Sequence, residues 1–122
     1  MMQRFRFPPQ RAFGVWTLIN GVRQFMLFDT GSQYVALRPN AVGWLGLQST
    51  NQTTLIFTAD SQTVGPRCPI YRIPQIQALG LTLSDIEAIA IHLPPNCGYD
   101  GVLGVSFLKH TIFTINYNEG WI

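Results

Sequence analysis

Alternation of apolar and polar positions marks the chain as a succession of strands. The period is two at Phe5-Arg6-Phe7, and β-branched or aromatic residues dominate Phe13 to Ile19 and Val22 to Phe28. Between the last two lies Asn20-Gly21. This dipeptide predicts a two-residue hairpin, because both central residues of a type I′ turn need positive φ. Further strands are expected at Tyr34 to Leu37, Thr54 to Thr58, Pro69 to Ile73, Ile86 to His92 and Thr111 to Tyr117, each bounded by turn-forming residues. Helical periodicity is sparse. One or two turns are predicted over Asn40 to Leu47 after Pro39, and a short helix over Val105 to His110 after Gly104. The pattern predicts an all-β fold, a closed or partly closed barrel with one short helix near its end.

With 122 residues, the chain is the size of one domain, spanning residues 1–122. Hydrophobic residues make up 47% and charged residues only 11%, so the core is ample and the surface must be largely uncharged. That apolar content argues against disorder. The uncharged apolar run Ala88 to Leu93 is far short of the ~20 residues that span a bilayer. Eight Lys and Arg against six Asp and Glu give +2, and the basic residues are scattered, so nucleic acid is not the expected partner. Arg4, Arg6 and Arg11 are followed by no long apolar segment, which reads as a cytoplasmic protein without a leader. Cys68 and Cys97 stand apart and outside any metal-ligand spacing, so free thiols are expected, with a single disulfide as the alternative.

Chemistry concentrates at one place. The strand Phe25-Met26-Leu27-Phe28 runs directly into Asp29-Thr30-Gly31-Ser32, so a buried strand delivers a carboxylate to a turn. Gly31 allows close backbone approach, and the Thr30 and Ser32 hydroxyls can orient a carboxylate. The same four residues would also serve a plain hairpin turn.

Phe28-Asp29-Thr30-Gly31-Ser32 resembles the active-site signature of the aspartic proteases, in particular the single-lobed retropepsin-like enzymes of retroviruses and bacteria. Two further segments agree. Gly101-Val102-Leu103-Gly104-Val105-Ser106-Phe107-Leu108 looks like their hydrophobic-hydrophobic-Gly motif with its following helix, and Phe57-Thr58-Ala59-Asp60-Ser61-Gln62-Thr63 looks like their flap hairpin. The likeness extends from Phe13 to Tyr117. Ser61 replaces a frequent Gly, Ser106 a commoner Asp or Asn, and no aromatic flap residue is evident. The resemblance implies a closed acid-protease-type β-barrel with a flap and one short C-terminal helix. It implies Asp29, Thr30, Gly31 and Ser32 as the catalytic loop. Thr58, Ala59, Asp60 and Ser61 on the flap, with Val102, Leu103 and Gly104 on the cleft, would contact an extended, apolar peptide substrate.

Such hydrolysis uses water between two aspartates, one ionised to take its proton and one protonated to polarise the carbonyl. Like charges roughly 3 Å apart cannot both ionise cheaply, so the pair shares a proton and titrates as a unit. One signature per chain means the second aspartate comes from another copy, and activity requires a homodimer. In the family Thr30 ties the two loops together across the axis and the chain ends interleave into an interface sheet. Phe5-Arg6-Phe7 at one end, and Ile112 to Tyr117 with Trp121-Ile122 at the other, suit that part.

The remaining polar residues read as structure. Asp100 in Tyr99-Asp100-Gly101 reads as a turn rather than an internal second carboxylate, Asp60 as a flap-tip residue and Asp85 as a turn or cap. Glu87 and Glu119 carry no motif. His92 and His110 have no second ligand at metal spacing, so neither a metal nor another cofactor is expected. Trp16 and Trp44 are expected in the core or in a pocket wall. Cys97, in a proline-rich loop without a neighbouring His, is not expected to act as a nucleophile. A binding or dimerisation module that keeps the barrel without turnover is the alternative to an endopeptidase.

Overall fold

A computed structural model describes residues 4–6, 13–57, 64–116, 119 and 122. The first hairpin joins β1 (Gly14–Ile19) to β2 (Val22–Phe28) with every residue of β1 paired, from Gly14 opposite Leu27 to Ile19 opposite Val22. Its turn is the expected one: Asn20 has φ 48° and Gly21 φ 82°. Asn20 also ties the turn to its surroundings. Its Nδ2 donates to the carbonyls of Leu45 and Gly46 at 2.7 and 3.2 Å, and its Oδ1 accepts from the Gln75 amide at 3.1 Å.

The chain continues through β3 (Val35–Leu37), a single helical turn α1 (Ala41–Trp44), and the long antiparallel strands β4 (Gln48–Phe57), β5 (Val64–Ala78) and β6 (Leu81–Ala90). It ends with β7 (Gly101–Leu103) and the short helix α2 (Val105–Leu108). Strand order is β1-β2-β7-β3-β6-β5-β4, and β1 also pairs with β5. That last pairing, Leu18 opposite Gln77 and Ile19 opposite Ile76, closes six strands into a barrel and leaves β4 outside as an arm on β5. Two contacts in the ring are parallel, β2 with β7 and β3 with β6.

The main core fills the barrel and includes Ile19, Met26, Leu37, Ile73, Ile76, Leu103 and Phe107, none of which is exposed. A second cluster gathers Ala36, Cys68, Ile70, Ile89 and Val102. Alternate residues of β3 serve the two clusters, Val35 and Leu37 the first and Ala36 the second, so this strand is buried on both faces. Phe5 and Ile122 bond to each other, amide to carbonyl in both directions at 3.0 and 2.9 Å, and Ile122 is buried in the main core.

Several elements differ from the sequence expectation. β5 is fifteen residues long where five were expected, because the strand runs through Pro66, Pro69 and Pro74. Asp85 is neither a turn nor a cap. It lies inside β6 with φ 57°, between the pairs Ile73–Ile86 and Gln75–Ser84, at the position facing Pro74. Residues 111–115 form no strand, although a strand was expected from Thr111 to Tyr117. β-branched residues make a segment strand-compatible, but only a ladder partner makes it a strand.

Candidate active site

Asp29 leaves the end of β2, half-buried, with Thr30 and Gly31 exposed beside it. Its conformation is fixed mainly by backbone groups. The Asp29 amide donates to the Leu103 carbonyl at 3.2 Å, extending the parallel β2–β7 ladder by one residue. The Asp29 Oδ1 accepts from the Gly31 amide at 2.8 Å, and the Asp29 carbonyl accepts from the Ser32 amide at 3.3 Å. The loop is thus a tight turn in which one carboxylate oxygen is bound to its own backbone.

Downstream, the loop is clamped by α2. The amides of Val105 and Ser106 donate to the carbonyls of Ser32 and Gln33 at 2.8 and 2.9 Å. The Ser32 hydroxyl donates to the Tyr34 carbonyl at 2.9 Å, turning it inward. Gly104 makes this approach possible. A Cβ there would lie 2.6 Å from the Ser32 carbonyl oxygen and closer still to that of Tyr34, so no other residue fits.

Ser106 is the polar centre of the clamp. Its Oγ accepts from the buried Val35 amide at 2.8 Å and donates to the Glu87 carbonyl at 2.7 Å, joining β3, α2 and β6 through one hydroxyl. A groove of about 290 Å³ opens beside it, walled by Tyr34, Val105, Glu87 and Lys109 among others.

A family model described as gag-polyprotein putative aspartyl protease matches residues 15–110, about four-fifths of the chain. The chain belongs to this family. Its fold is retropepsin-like: the crystal structure of a retropepsin-like aspartic protease from Rickettsia conorii matches with a TM-score of 0.67 at 18% identity, over 98% of this chain and 86% of that one. A search of curated proteins gives no match.

Within this retropepsin-like chain the Asp29–Ser32 loop and the Gly101–Leu108 segment are brought together as the resemblance implied, through the Asp29–Leu103 and Ser32–Val105 bonds. Leu103 and Val102 differ from their expected role as pocket walls. Leu103 is wholly buried in the main core and Val102 in the second cluster, so both hold the loop from behind. Gly104 is buried as well. The flap expectation falls between β4 and β5, whose last pair is Phe57 with Val64; Thr58, Ala59, Asp60 and Ser61 lie outside the described residues.

Asp100 is bound as a turn residue, its Oδ2 accepting from the Phe25 amide at 2.8 Å while its own amide donates to the Phe25 carbonyl at 2.8 Å. These bonds place Asp100 beside Phe25, four residues before Asp29. Trp16 and Trp44 are both 58% exposed rather than core. Trp16 lies on the outer face of β1, tilted against Phe25 with the Arg23 guanidinium 4.3 Å from its ring centre. Neither Cys68 nor Cys97 forms a disulfide. Among the described residues, no group of three or more His, Cys, Asp or Glu is placed to hold a metal, and no helix is long and apolar enough to cross a membrane.

Sequence reasoning missed Arg38. Its guanidinium donates to the carbonyls of Leu93, Pro94 and Tyr99 at 2.7, 3.1 and 3.0 Å, stapling the loop that leads into β7. The available signal was a lone Arg at the end of the apolar run Val35-Ala36-Leu37.

Proposed function

We propose that this chain is an aspartic endopeptidase, active as a homodimer in which Asp29 of each copy completes the site. The observation that carries the reading is the Asp29 loop itself: a half-buried carboxylate held by the Gly31 amide at the end of β2, with Thr30 and Gly31 exposed beside it for a second copy to meet. A mere peptide-binding groove has no need of an ionisable group in that place.

In this reading the ionised Asp29 takes a proton from a water held between the two carboxylates, and the water oxygen attacks the peptide carbonyl carbon. The protonated Asp29 of the other copy gives its proton to the carbonyl oxygen. Collapse of the tetrahedral carbon breaks the C–N bond as a proton passes to the amine. The substrate binds extended beneath the β4–β5 hairpin, pairing its backbone as an added strand. Loss of the Asp29 proton-transfer role in Asp29→Asn should lower turnover of a diverse peptide library about a thousandfold, with melting temperature and sedimentation unchanged. Undiminished cleavage by that variant overturns the proposal.

A further inference from the structure

Alternation along β2 turns Gln24, Met26 and Phe28 into the barrel and Arg23, Phe25 and Leu27 outward. Asp29, whose amide continues the ladder to Leu103, takes the next outward place. The candidate catalytic carboxylate thus stands at one end of a row that runs back over the half-buried Leu27 to Phe25. At that far end the surface is aromatic. The Phe25 ring lies within 4° of parallel to the Tyr99 ring at 5.5 Å, and is tilted against the Trp16 ring at 4.9 Å.

Three contacts hold this platform in place. Gly14, diagonal to Phe25 on β1, gives the ring its room, because a Cβ there would clash with it. The Asp100 carboxylate, next to Tyr99, accepts from the Phe25 amide at 2.8 Å. The Arg23 guanidinium, 4.3 Å from the centre of the Trp16 ring, restrains the indole from outside. The indole is nonetheless 58% exposed. Alternation explains why position 16 faces outward, but it does not call for the largest apolar side chain there. A fixed and exposed aromatic surface is suited to pack against another ring.

We infer that the Trp16–Phe25–Tyr99 platform is a remote subsite for an aromatic side chain of the substrate peptide. This rests on the endopeptidase reading above and names a preference which that reading leaves open. Phe25 precedes Asp29 by four residues, about 13 Å along the strand. An extended peptide covers that span in about four residues, so the recognised ring stands about four positions from the bond that breaks. In the proposed dimer the second copy carries the same platform, and the preference recurs at the mirrored position on the other side of that bond.

A random peptide library, long enough to reach both platforms and read by mass spectrometry after cleavage, should show Phe, Tyr or Trp enriched at those positions. Trp16→Ala should remove the enrichment. It should lower kcat/KM for ring-bearing peptides about fivefold relative to peptides without the ring, the change falling on KM. Trp16→Phe should keep most of the preference. Cleavage without the enrichment, or enrichment that survives Trp16→Ala, overturns the inference and leaves the endopeptidase reading standing. So does an equal loss on all peptides in Trp16→Ala, the mark of a structural role. A wild-type protein that cleaves no peptide removes that reading and this inference together.

Discussion

Around Asp29 the protein is assembled from short, buried pieces, whereas the β4 arm is one long, largely exposed strand. β3 and β7 have three residues each, all buried, and the four-residue α2 buries Ser106, Phe107 and Leu108. β4 runs for ten residues, and six of the eight residues from Gln48 to Leu55 are exposed, on an edge that β5 pairs from one side only. Burial on both faces leaves a backbone one place to go, which suits a carboxylate that must be held within a fraction of an ångström. An arm attached through one ladder can move as a unit without disturbing the barrel, and in the proposed endopeptidase it would be the cover over the substrate.

The contrast breaks first at Gly104. Gly104→Ala should lower stability by about 3 kcal/mol, near the upper end of overpacking costs, because the new methyl meets the carbonyls of Ser32 and Tyr34, which are backbone and cannot rotate away. Urea denaturation measures this directly. Cleavage should fall further than the unfolded fraction accounts for, since the loop must shift for the methyl to fit.

Ser106→Ala tests the same corner more gently. It strands the Val35 amide and the Glu87 carbonyl without adding bulk, and about 2 kcal/mol is expected from two polar groups losing their partner. Ser106→Thr should restore most of the loss, because the groove beside Ser106 has room for a methyl group. An equal loss in Ser106→Ala and Ser106→Thr would mean that shape, not the hydroxyl, matters there.

How far the chain could be read follows the same division. The Asn20-Gly21 hairpin and the Asp29 loop were legible because local chemistry dictates them: positive φ at both turn residues in one case, a carboxylate delivered by an apolar strand in the other. The arm was hard to read. Gln48 to Thr54 is polar on both faces and has no alternation to detect, and the prolines of β5 look like breakers although pairing with β6 carries the strand past Pro74. Trp16 was misplaced for a different reason. Alternation along β1 buries Val15, Thr17 and Ile19 and turns Trp16 outward, so the facing of the strand outranked the size of the side chain, and Thr17 meets burial by donating to the Val15 carbonyl at 3.3 Å. The clamp at Ser106 depends on carbonyls from distant elements, and nothing local to Val105-Ser106-Phe107 announces them.

The smallest effect belongs to the arm. Thr53 Oγ1 accepts from the Arg67 guanidinium at 2.9 Å in the open, on the β4–β5 ladder. Water replaces either partner at little cost, and holding a long Arg side chain in one rotamer offsets much of what the bond contributes. Thr53→Ala should therefore change stability by less than about 0.5 kcal/mol in urea. A loss as large as that of Ser106→Ala would show the arm packed as tightly as the corner, and its freedom to act as a moving cover would have to be given up.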